Sequence, residues 1–464
     1  MQNDFAEIDR FLRTLTLGFN LFFLIVFIKR FEIVEHIYPH TVNKCLELMT
    51  MMKVLIAAYH YPPLGGGGVF RSLKFSRYLP EFGYKPYVLT VKNPLRSQKD
   101  PLLMKDIPRE ASIIRTFSFE HRIFRAPRHF LNISLKWFFV PDEHIGWLPT
   151  AVSEGVKLIK KNNINVIYAT GPVWTTFLIG FLLKKKTKKP LIIDFRDPWI
   201  NNSNLKYPTK LHEFIEKSLE KKIVTQANYI IAATDLIRDD LIKRYPFVAS
   251  KIETITNGFD PEDFKNLNLN TKSSKFRITY AGSIYGLLTA RSFLSALKEL
   301  IIENEEFKKN IEVVFVGNYG KETLSLVKEM RLADYVKLKE YIPHKKCLEL
   351  VMNSDVLLLL ITILGSKGKE ILTGKIFEYL ASQNPILAIA PVDGLASKLI
   401  RSLDAGIIVA PGDVRCVKES ILLFYNRWRS GKSLLVQNNY SKIQKFNRKI
   451  LTHRLSKIFD KFKQ

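Results

Sequence analysis

The chain has 464 residues, of which 47% are hydrophobic and 12% aromatic. This composition excludes a disordered protein and indicates two or three domains of about 150 residues each. Lysine and arginine number 71 against 44 acidic residues, and the net charge of +27 favours anionic partners: nucleic acid, an acidic membrane surface or phosphorylated substrates. The three cysteines lie far apart without a CxxC pair, which argues against a disulfide framework or a zinc site and favours a reducing compartment.

The first fifty residues contain one apolar run, LGFNLFFLIVFI at residues 17–28. It is shorter than the roughly 20 apolar residues that span a bilayer. Acidic residues precede it and no small-residue cleavage site follows, so the run is not typical of a signal peptide. Two interpretations stay open for residues 1–50. They form a shallow membrane-associated helix, or they are a dispensable or artefactual extension before a natural start at Met51 or Met52.

From residue 53 onward, short apolar runs alternate with amphipathic stretches of helical length. The predicted strands of this first half are KVLIAAY, KPYVLTV, INVIYAT, PLIIDFR and ANYIIAAT, at residues 53–59, 85–91, 164–170, 190–196 and 227–234. Because these runs lack polar alternation and are separated by helical segments, they predict a parallel sheet that is covered on both faces.

Four consecutive glycines, Gly65, Gly66, Gly67 and Gly68, follow the first predicted strand and precede a helix. A turn of this kind lets the backbone approach a ligand closely and directs N–H groups at an anion. The stretch has neither the G-x-G-x-x-G spacing of a dinucleotide site nor the G-K-[ST] of a P-loop. A dehydrogenase and a P-loop ATPase are therefore disfavoured, and a flexible surface loop is the other interpretation.

Arginines alternate with aromatic residues at residues 117–147, and a lysine cluster, KKKTKK, follows at residues 184–189. Such a mixture suits an anionic membrane surface. Nucleic acid could use the same mixture, but no RRM, KH, zinc-finger or helix-turn-helix signature is present. An ordinary solvated charged face would explain the lysines better than the aromatic residues.

The motif DFRDPW ends the fourth predicted strand and places Asp194, Arg196 and Asp197 at the carboxyl edge of the sheet. Ligands of such sheets bind at that edge. Either aspartate could bind an acceptor there or balance Arg196. An internal ion pair is the alternative, and the sequence alone does not choose between them.

A polar segment rich in asparagine, lysine and serine, residues 257–276, is predicted as an interdomain linker. Six further strands are predicted after it, at residues 276–283, 311–318, 336–342, 354–361, 385–390 and 405–410. The simplest architecture is a pair of doubly wound α/β domains facing each other across a cleft. The last stretch, residues 440–462, is predicted to be a basic amphipathic helix.

Two glutamates, Glu370 and Glu378, stand eight residues apart in GKEILTGKIFEYLASQNPILAI, at residues 368–389. On one continuous helix they would lie about 80° from each other, so a shared helical face explains them poorly. A loop that ends at Gly374 and a helix that begins near Lys375 explain them better, with Glu378 in the first turn. Such a helix start suits a phosphate, and the carboxylates suit sugar or ribose hydroxyls. The alternative is a dipole-favoured glutamate beside a solvated one.

Together these motifs resemble the retaining glycosyltransferases of family 4, which have the GT-B fold. The resemblance covers nearly everything after Met52. YPPLGGGGVFR is similar to the glycine loop of that family, and DFRDPW and PDEHIGW are similar to a bacterial surface-polysaccharide subgroup. TNGFD resembles the entry to the interdomain linker, YAGSIYG the first loop of the nucleotide-binding domain, and GKIFEYLASQNPILAI the donor helix and its following strand.

The resemblance implies a role for each site residue. Glu370 would contact the transferred sugar, Glu378 the ribose hydroxyls, and the glycine loop the diphosphate from the opposite domain. Arg291 is the only candidate for the family's diphosphate clamp in GSIYGLLTARS, so Lys375 would carry more of that role. No histidine matches the acceptor-side histidine of the family, and His144 is the candidate that this chain offers. The predicted site residues are Glu370 and Asp197 for catalysis; Gly65, Gly66, Gly67, Gly68, Gly282, Arg291, Gly374, Lys375 and Glu378 for the donor; and Asp194, Arg196 and His144 on the acceptor side.

The resemblance also implies the domain organisation. Residues 1–50 are the extension, 51–262 an acceptor-side Rossmann-like domain, 263–435 a nucleotide-sugar-binding Rossmann-like domain, and 436–464 a C-terminal helix that packs back on the first domain.

The implied function is transfer of a hexose-type sugar, with retention, from a UDP- or GDP-sugar to a lipid-linked or glycan acceptor in surface polysaccharide or lipopolysaccharide biosynthesis. No metal and no other cofactor is expected. The expected location is cytoplasmic and peripheral, on the inner face of the plasma membrane, with an anionic membrane surface as partner and no nucleic acid. The alternatives are a nucleotide-sugar epimerase of the same fold and a non-catalytic basic binding protein.

Overall fold

A computed structural model describes residues 51–94, 98–120, 139–202, 207–269, 273–284, 288–363, 365–432, 434 and 440–463. The expectations for residues 1–50, and for most of the aromatic and basic side chains at residues 117–147, lie outside these ranges. Within the described residues, no helix combines the length and the apolar composition that crossing a bilayer would need.

The first half of the chain folds into a parallel seven-stranded sheet in the order β3-β2-β1-β4-β5-β6-β7. Its strands are β1 (Met52–Ala57), β2 (Tyr84–Val91), β3 (Ser112–Thr116), β4 (Val166–Gly171), β5 (Leu191–Phe195), β6 (Tyr229–Ala232) and β7 (Ile252–Thr254). Its helices are α1 (Gly67–Tyr78), α2 (Leu148–Asn162), α3 (Thr175–Thr187), α4 (Lys210–Gln226) and α5 (Asp235–Arg244). The strand order reverses between β1 and β4, so a ligand crevice is expected at their carboxyl ends.

The second half forms a parallel six-stranded sheet in the order β10-β9-β8-β11-β12-β13. Its strands are β8 (Phe276–Ala281), β9 (Ile311–Val316), β10 (Val336–Lys339), β11 (Val356–Leu360), β12 (Ile386–Ile389) and β13 (Gly406–Val409). The helices that follow are α6 (Arg291–Glu303), α7 (Glu305–Asn310), α8 (Lys321–Glu329), α9 (His344–Met352), α10 (Ser366–Lys369), α11 (Lys375–Ser382), α12 (Leu395–Ser402), α13 (Val414–Arg429), α14 (Tyr440–Ile443) and α15 (Arg448–Asp460). Here the order reverses between β8 and β11.

The central strands of both sheets are buried on both faces, because helices cover each side. Every residue of β4, β5, β9 and β11 is buried, which is the burial that an unbroken apolar run requires. The prediction of two doubly wound sheets is confirmed. The sequence pattern did not reveal β3 and β7.

The segment predicted as a linker is anchored to the first domain by charge. The Asp260 carboxylate is buried, accepts a hydrogen bond from Tyr78 Oη at 2.6 Å and lies 2.9 Å from Lys74 Nζ. Lys74 also pairs with Asp106 and Asp263. A buried ammonium needs such partners to remain charged, so α1 fixes the beginning of the connection between the sheets.

The C-terminal segment returns to the first sheet, as the GT-B resemblance implied. Phe459 packs edge-on against Tyr84 with ring centroids 5.4 Å apart, and His453 stacks on Phe82 at 5.0 Å. The prediction of one continuous helix here was wrong, because a 3₁₀ turn at Gln444–Phe446 separates α14 from α15. The Asn447 side chain then caps α15 by accepting the Lys449 N–H.

Candidate active site

The glycine loop leads directly from β1 into α1 and faces the second domain. The Gly66 N–H donates to Tyr341 Oη at 3.3 Å. A Cβ at Gly65 would lie 2.2 Å from the same hydroxyl oxygen, so only glycine allows this approach. A Cβ at Gly67 would meet no described atom within 4 Å. The loop is thus tight against Tyr341 at its start and open where α1 begins.

A cationic site lies where the second sheet meets α11. Lys375 is the first residue of that helix, and its Nζ lies 2.9 Å from Tyr280 Oη and 4.1 Å from the centre of the Tyr280 ring. Gly282, just after β8, packs against the Lys375 ammonium, and a Cβ at this position would lie 2.2 Å from Lys375 Nζ. Tyr379 Oη accepts the Ala281 N–H at 2.8 Å and so holds α11 against the end of β8.

The electrostatics of this site favour an anion. Burial lowers the pKa of Lys375 to about 8, and no carboxylate forms an ion pair with its ammonium within the part of the chain that the structure describes. Gly374, at the N-cap of α11, is exposed, and a Cβ there would meet no described atom within 4 Å. An ammonium beside the positive end of a helix dipole can hold a phosphate group.

Glu378, in the first turn of α11, is held by a histidine that the sequence analysis missed. Its Oε1 lies 2.9 Å from His344 Nε2. Burial lowers the pKa of His344, but the neighbouring Glu378 carboxylate outweighs it, and the net direction is upward. The first domain holds His344 as well: its ring packs on Phe70 at 4.2 Å, and its backbone N–H donates to Asp100 Oδ2 at 2.8 Å. No short motif marks these contacts, since Glu378 lies 34 residues from His344 in the chain and Asp100 lies 244 residues from it.

The structure does not bring Glu370 into contact with Glu378. Glu370 is exposed at the end of the short helix α10. Partial burial and the Asp240 carboxylate on α5 raise its pKa. Arg291 also lies apart from the lysine site: it is exposed at the start of α6, with Nη2 3.7 Å from Glu322 Oε1.

The two aspartates of the DFRDPW motif differ in burial: Asp194 is buried and Asp197 is exposed. Asp194 is fully buried and accepts two hydrogen bonds from Arg71, each of 2.7 Å, and further ones from Tyr168 and Thr170. The prediction of Asp194 on the acceptor side is corrected here, because an enclosed carboxylate with all these partners cannot reach an acceptor. It forms the internal ion pair instead, with Arg71 rather than Arg196.

Arg196 holds the glycine loop through hydrogen bonds to backbone carbonyls. Its Nη1 donates to the Gly68 carbonyl at 2.5 Å, its Nε to the Gly171 carbonyl at 3.3 Å, and its Nη2 to the Pro172 carbonyl. These bonds join the loop after β1 to the turn after β4. Arg196 is thus placed to position backbone at the switch point. Asp197 is exposed at the same edge and stays a predicted catalytic residue.

His144 belongs to a buried cluster under the carboxyl end of β1. Its ring lies 4.2 Å from the Tyr59 ring, and its Nδ1 lies 3.5 Å from Glu120 Oε1. Glu120 is fully buried, and its other oxygen accepts a hydrogen bond from Tyr59 Oη at 2.8 Å. Burial lowers the pKa of His144, yet Glu120 and the nearby acidic residues outweigh it and raise the value. By contrast, burial and the Arg196 charge lower the pKa of His60 to about 3, so His60 is neutral.

We expect Glu120→Gln to lower the pKa of His144 by roughly one, because a carboxylate within about 4–6 Å stabilises the imidazolium by this order. Titration of the His144 ring signals by NMR would measure it. Glu143→Gln is the matched control, since this exposed carboxylate lies 4.0 Å from the other ring nitrogen. An equal shift in both variants would show that the buried Glu120 affects the pKa of His144 no more than the exposed Glu143 does.

Within the described residues, no group of three or more histidine, cysteine, aspartate or glutamate side chains is placed to hold a metal ion. Metal independence stays a prediction.

Known proteins share both the family pattern and the fold. The family model for Glycosyltransferase Family 4 matches residues 65–263. No curated protein matches the sequence. Among solved structures, sucrose-phosphate synthase from Thermosynechococcus elongatus has a TM-score of 0.60 at 15% identity, with 88% of this chain and 98% of that chain covered.

Two further structures have the same fold. WaaG, a glycosyltransferase involved in lipopolysaccharide biosynthesis, has a TM-score of 0.54 at 13% identity, over 87% of this chain and 95% of that one. A protein assigned as a UDP-N-acetylglucosamine 2-epimerase from Listeria monocytogenes has a TM-score of 0.51 at 11% identity, with 88% of this chain and 95% of that chain covered. The GT-B fold is confirmed across the two sheets, and the resemblance to glycosyltransferase family 4 is confirmed by the family model over residues 65–263.

Proposed function

We propose that this GT-B glycosyltransferase moves a hexose-type sugar from a UDP- or GDP-sugar to a membrane-associated glycan or glycolipid acceptor, with retained anomeric configuration. The observation that supports this best is the half-buried Lys375 side chain, whose ammonium lies over Tyr280 at the start of α11 with Glu378 one turn later. Lys375 offers a cation for a diphosphate, and Glu378 offers a carboxylate for a pair of hydroxyls. Both residues lie at the carboxyl edge of the second sheet.

The donor would lie between the two domains. Its diphosphate would bind at Lys375 and Gly374, its ribose hydroxyls at Glu378, and the open part of the glycine loop would approach from the first domain. Ribose hydroxyls would then replace His344 as partners of Glu378. Glu370 would contact the transferred sugar from its exposed position.

Retention needs no covalent enzyme carboxylate in this proposal. The departing phosphate oxygen takes the proton of the acceptor hydroxyl as that hydroxyl attacks the same face of the sugar. Lys375 and the start of α11 stabilise the negative charge that develops on the leaving diphosphate. No metal is included. His144, oriented by Glu120, and the exposed Asp197 would bind acceptor hydroxyls, and Arg196 would keep the glycine loop in place.

We place the reaction in surface polysaccharide or lipopolysaccharide biosynthesis, on the cytoplasmic face of the plasma membrane. The excess of 27 positive charges supports an anionic surface as a partner. The fold likeness to a lipopolysaccharide glycosyltransferase supports the class of acceptor.

The donor site can be tested by calorimetry with UDP- and GDP-sugars. We expect one donor to bind and Glu378→Ala to weaken it roughly 10- to 100-fold, the loss typical of hydrogen bonds to a charged group. Glu419→Ala, which removes an exposed carboxylate on α13, is the control. Because the variant also removes the partner of His344, its thermal unfolding is measured in parallel. Unchanged donor affinity in a folded Glu378→Ala protein would refute the site.

An epimerase is the second candidate, since a protein assigned to that activity shares the fold. It would convert a nucleotide sugar to its epimer without any acceptor, which chromatography of the free nucleotide sugar would detect. Strongly salt-dependent binding to DNA or RNA without affinity for any nucleotide sugar would instead favour a non-catalytic basic protein.

A further inference from the structure

Helix α4 turns a set of large apolar side chains toward solvent. Leu211 is 64% exposed, Phe214 68% and Ile215 36%. Their spacing of three and four residues places them on one face of the helix. The opposite face packs on the sheet through Glu216, Glu220, Ile223 and Val224, all buried. Single exposed apolar residues are ordinary, but three adjacent ones on one face indicate an interaction surface.

Lysines surround this apolar face. Lys210 lies next to it, and Lys217, Lys221 and Lys222 continue the exposed side of the helix. Glu213, on the same helix, pairs with Lys217 at 2.6 Å. The neighbouring helix α5 has acidic residues too, but Asp235 and Asp239 pair with Arg238, and Asp240 pairs with Arg244. The net charge around the apolar side chains is therefore positive.

The face lies beside the acceptor edge of the first sheet. α4 follows β5 and the DFRDPW motif, and Trp199 Nε1 of that motif donates to Glu216 Oε2 at 3.1 Å. Trp199 also stacks on Trp174, after β4, with ring centroids 5.3 Å apart and planes 3° from parallel. The position of α4 is thus fixed relative to Arg196 and Asp197.

We propose that Leu211, Phe214 and Ile215 insert into the headgroup region of an anionic phospholipid surface while the surrounding lysines bind the lipid phosphates. Apolar insertion with flanking lysines is how amphipathic surfaces bind such membranes. Docking by α4 would hold the acceptor edge of the cleft near the bilayer. The role in presenting an acceptor rests on the proposed function, whereas the binding itself does not.

Sedimentation of the full chain with lipid vesicles tests the surface. We expect binding to vesicles of phosphatidylcholine with phosphatidylglycerol, and weaker binding to phosphatidylcholine alone or at high salt. The triple variant Leu211→Ser, Phe214→Ser, Ile215→Ser should bind the anionic vesicles roughly tenfold more weakly or worse. Ile302→Ser with Leu324→Ser is the matched control, because these exposed apolar residues lie on the second domain. Equal binding by the triple variant and the parent would overturn the proposal.

A direct readout of insertion complements the affinity. Phe214→Trp should gain a blue-shifted emission, over the parent background, when anionic vesicles are added, and Ile302→Trp should not. An absent shift, or a change from dimer to monomer in the triple variant without vesicle binding by the parent, would overturn the proposal and make the face an interface between copies. Donor calorimetry on the triple variant separates the two proposals. Loss of vesicle binding with intact donor affinity supports the surface, and vesicle binding by a chain that binds no donor would contradict only the proposed function.

Discussion

Replacing Lys375 by methionine should lower the turnover of sugar transfer by about 10²–10³-fold, the loss typical when one group that stabilises transition-state charge is removed. Methionine keeps the apolar stem over Tyr280 and removes only the ammonium. The effect should be mainly on kcat, because the charge on the leaving diphosphate grows as the glycosidic bond breaks. Lys369→Met is the control, since Lys369, at the end of α10, is exposed and pairs with Asp393.

The same residue predicts a dependence on pH. Because burial lowers the pKa of Lys375 to about 8, the ammonium is fully charged well below pH 8 and loses its proton as the pH rises through that value. Affinity for a nucleotide diphosphate should therefore fall above about pH 8 in the parent and stay flat in Lys375→Met. A parent affinity that is constant to pH 9 would contradict a role for this ammonium.

The largest loss of stability is expected from Asp194→Ala, at about 3–5 kcal/mol, because it leaves the buried Arg71 guanidinium without its counter-ion. Arg71 would keep only its bonds to the carbonyls of Ile255 and Thr256. Urea unfolding followed by circular dichroism measures the change. Glu154→Ala, which breaks an exposed pair with Lys157, should cost less than about 1 kcal/mol. Equal small losses would show that the buried pair is not needed.

The ion pair also sets the acid limit of stability. Burial raises the pKa of Asp194, but Arg71 and the hydroxyl donors outweigh it, so the folded value lies below the ordinary one. A carboxylate with a depressed pKa contributes its full stabilisation above the unfolded value of about 3.9, and this is lost as the pH falls through the folded value. The parent should therefore lose its advantage over Asp194→Ala only in strong acid.

The strands were predictable where both of their faces are buried, because such strands are unbroken runs of apolar residues. All six strands of the second sheet lie within their predicted runs, and five strands of the first sheet extend at most one residue beyond theirs. β3 was missed because, as an edge strand, only Thr116 of its residues is buried. β7 has three residues and forms no pattern at all.

The site was predictable where one short stretch contains its residues. The helix start at Lys375 and the position of Glu378 follow from local order, and the structure confirms both positions. The partners of these residues were not predictable, because His344 reaches Glu378, and Glu120 reaches His144, through folding rather than spacing. The motif that contains Asp194 was recognisable from the sequence. The role of Asp194 was not, because only the structure shows that this carboxylate is buried in an ion pair rather than exposed.

The return of the C-terminal segment affects how the protein is made. The Arg448 N–H donates to the Phe259 carbonyl at 2.8 Å, the Phe259 N–H donates to the Phe446 carbonyl at 3.1 Å, and α15 then covers α1. During translation, at about 5–20 residues per second, the ribosome completes the first sheet long before α15 emerges. The surface around Phe82 and Tyr84 therefore stays uncovered while the whole second domain is synthesised. The first domain therefore begins to fold first and is completed last.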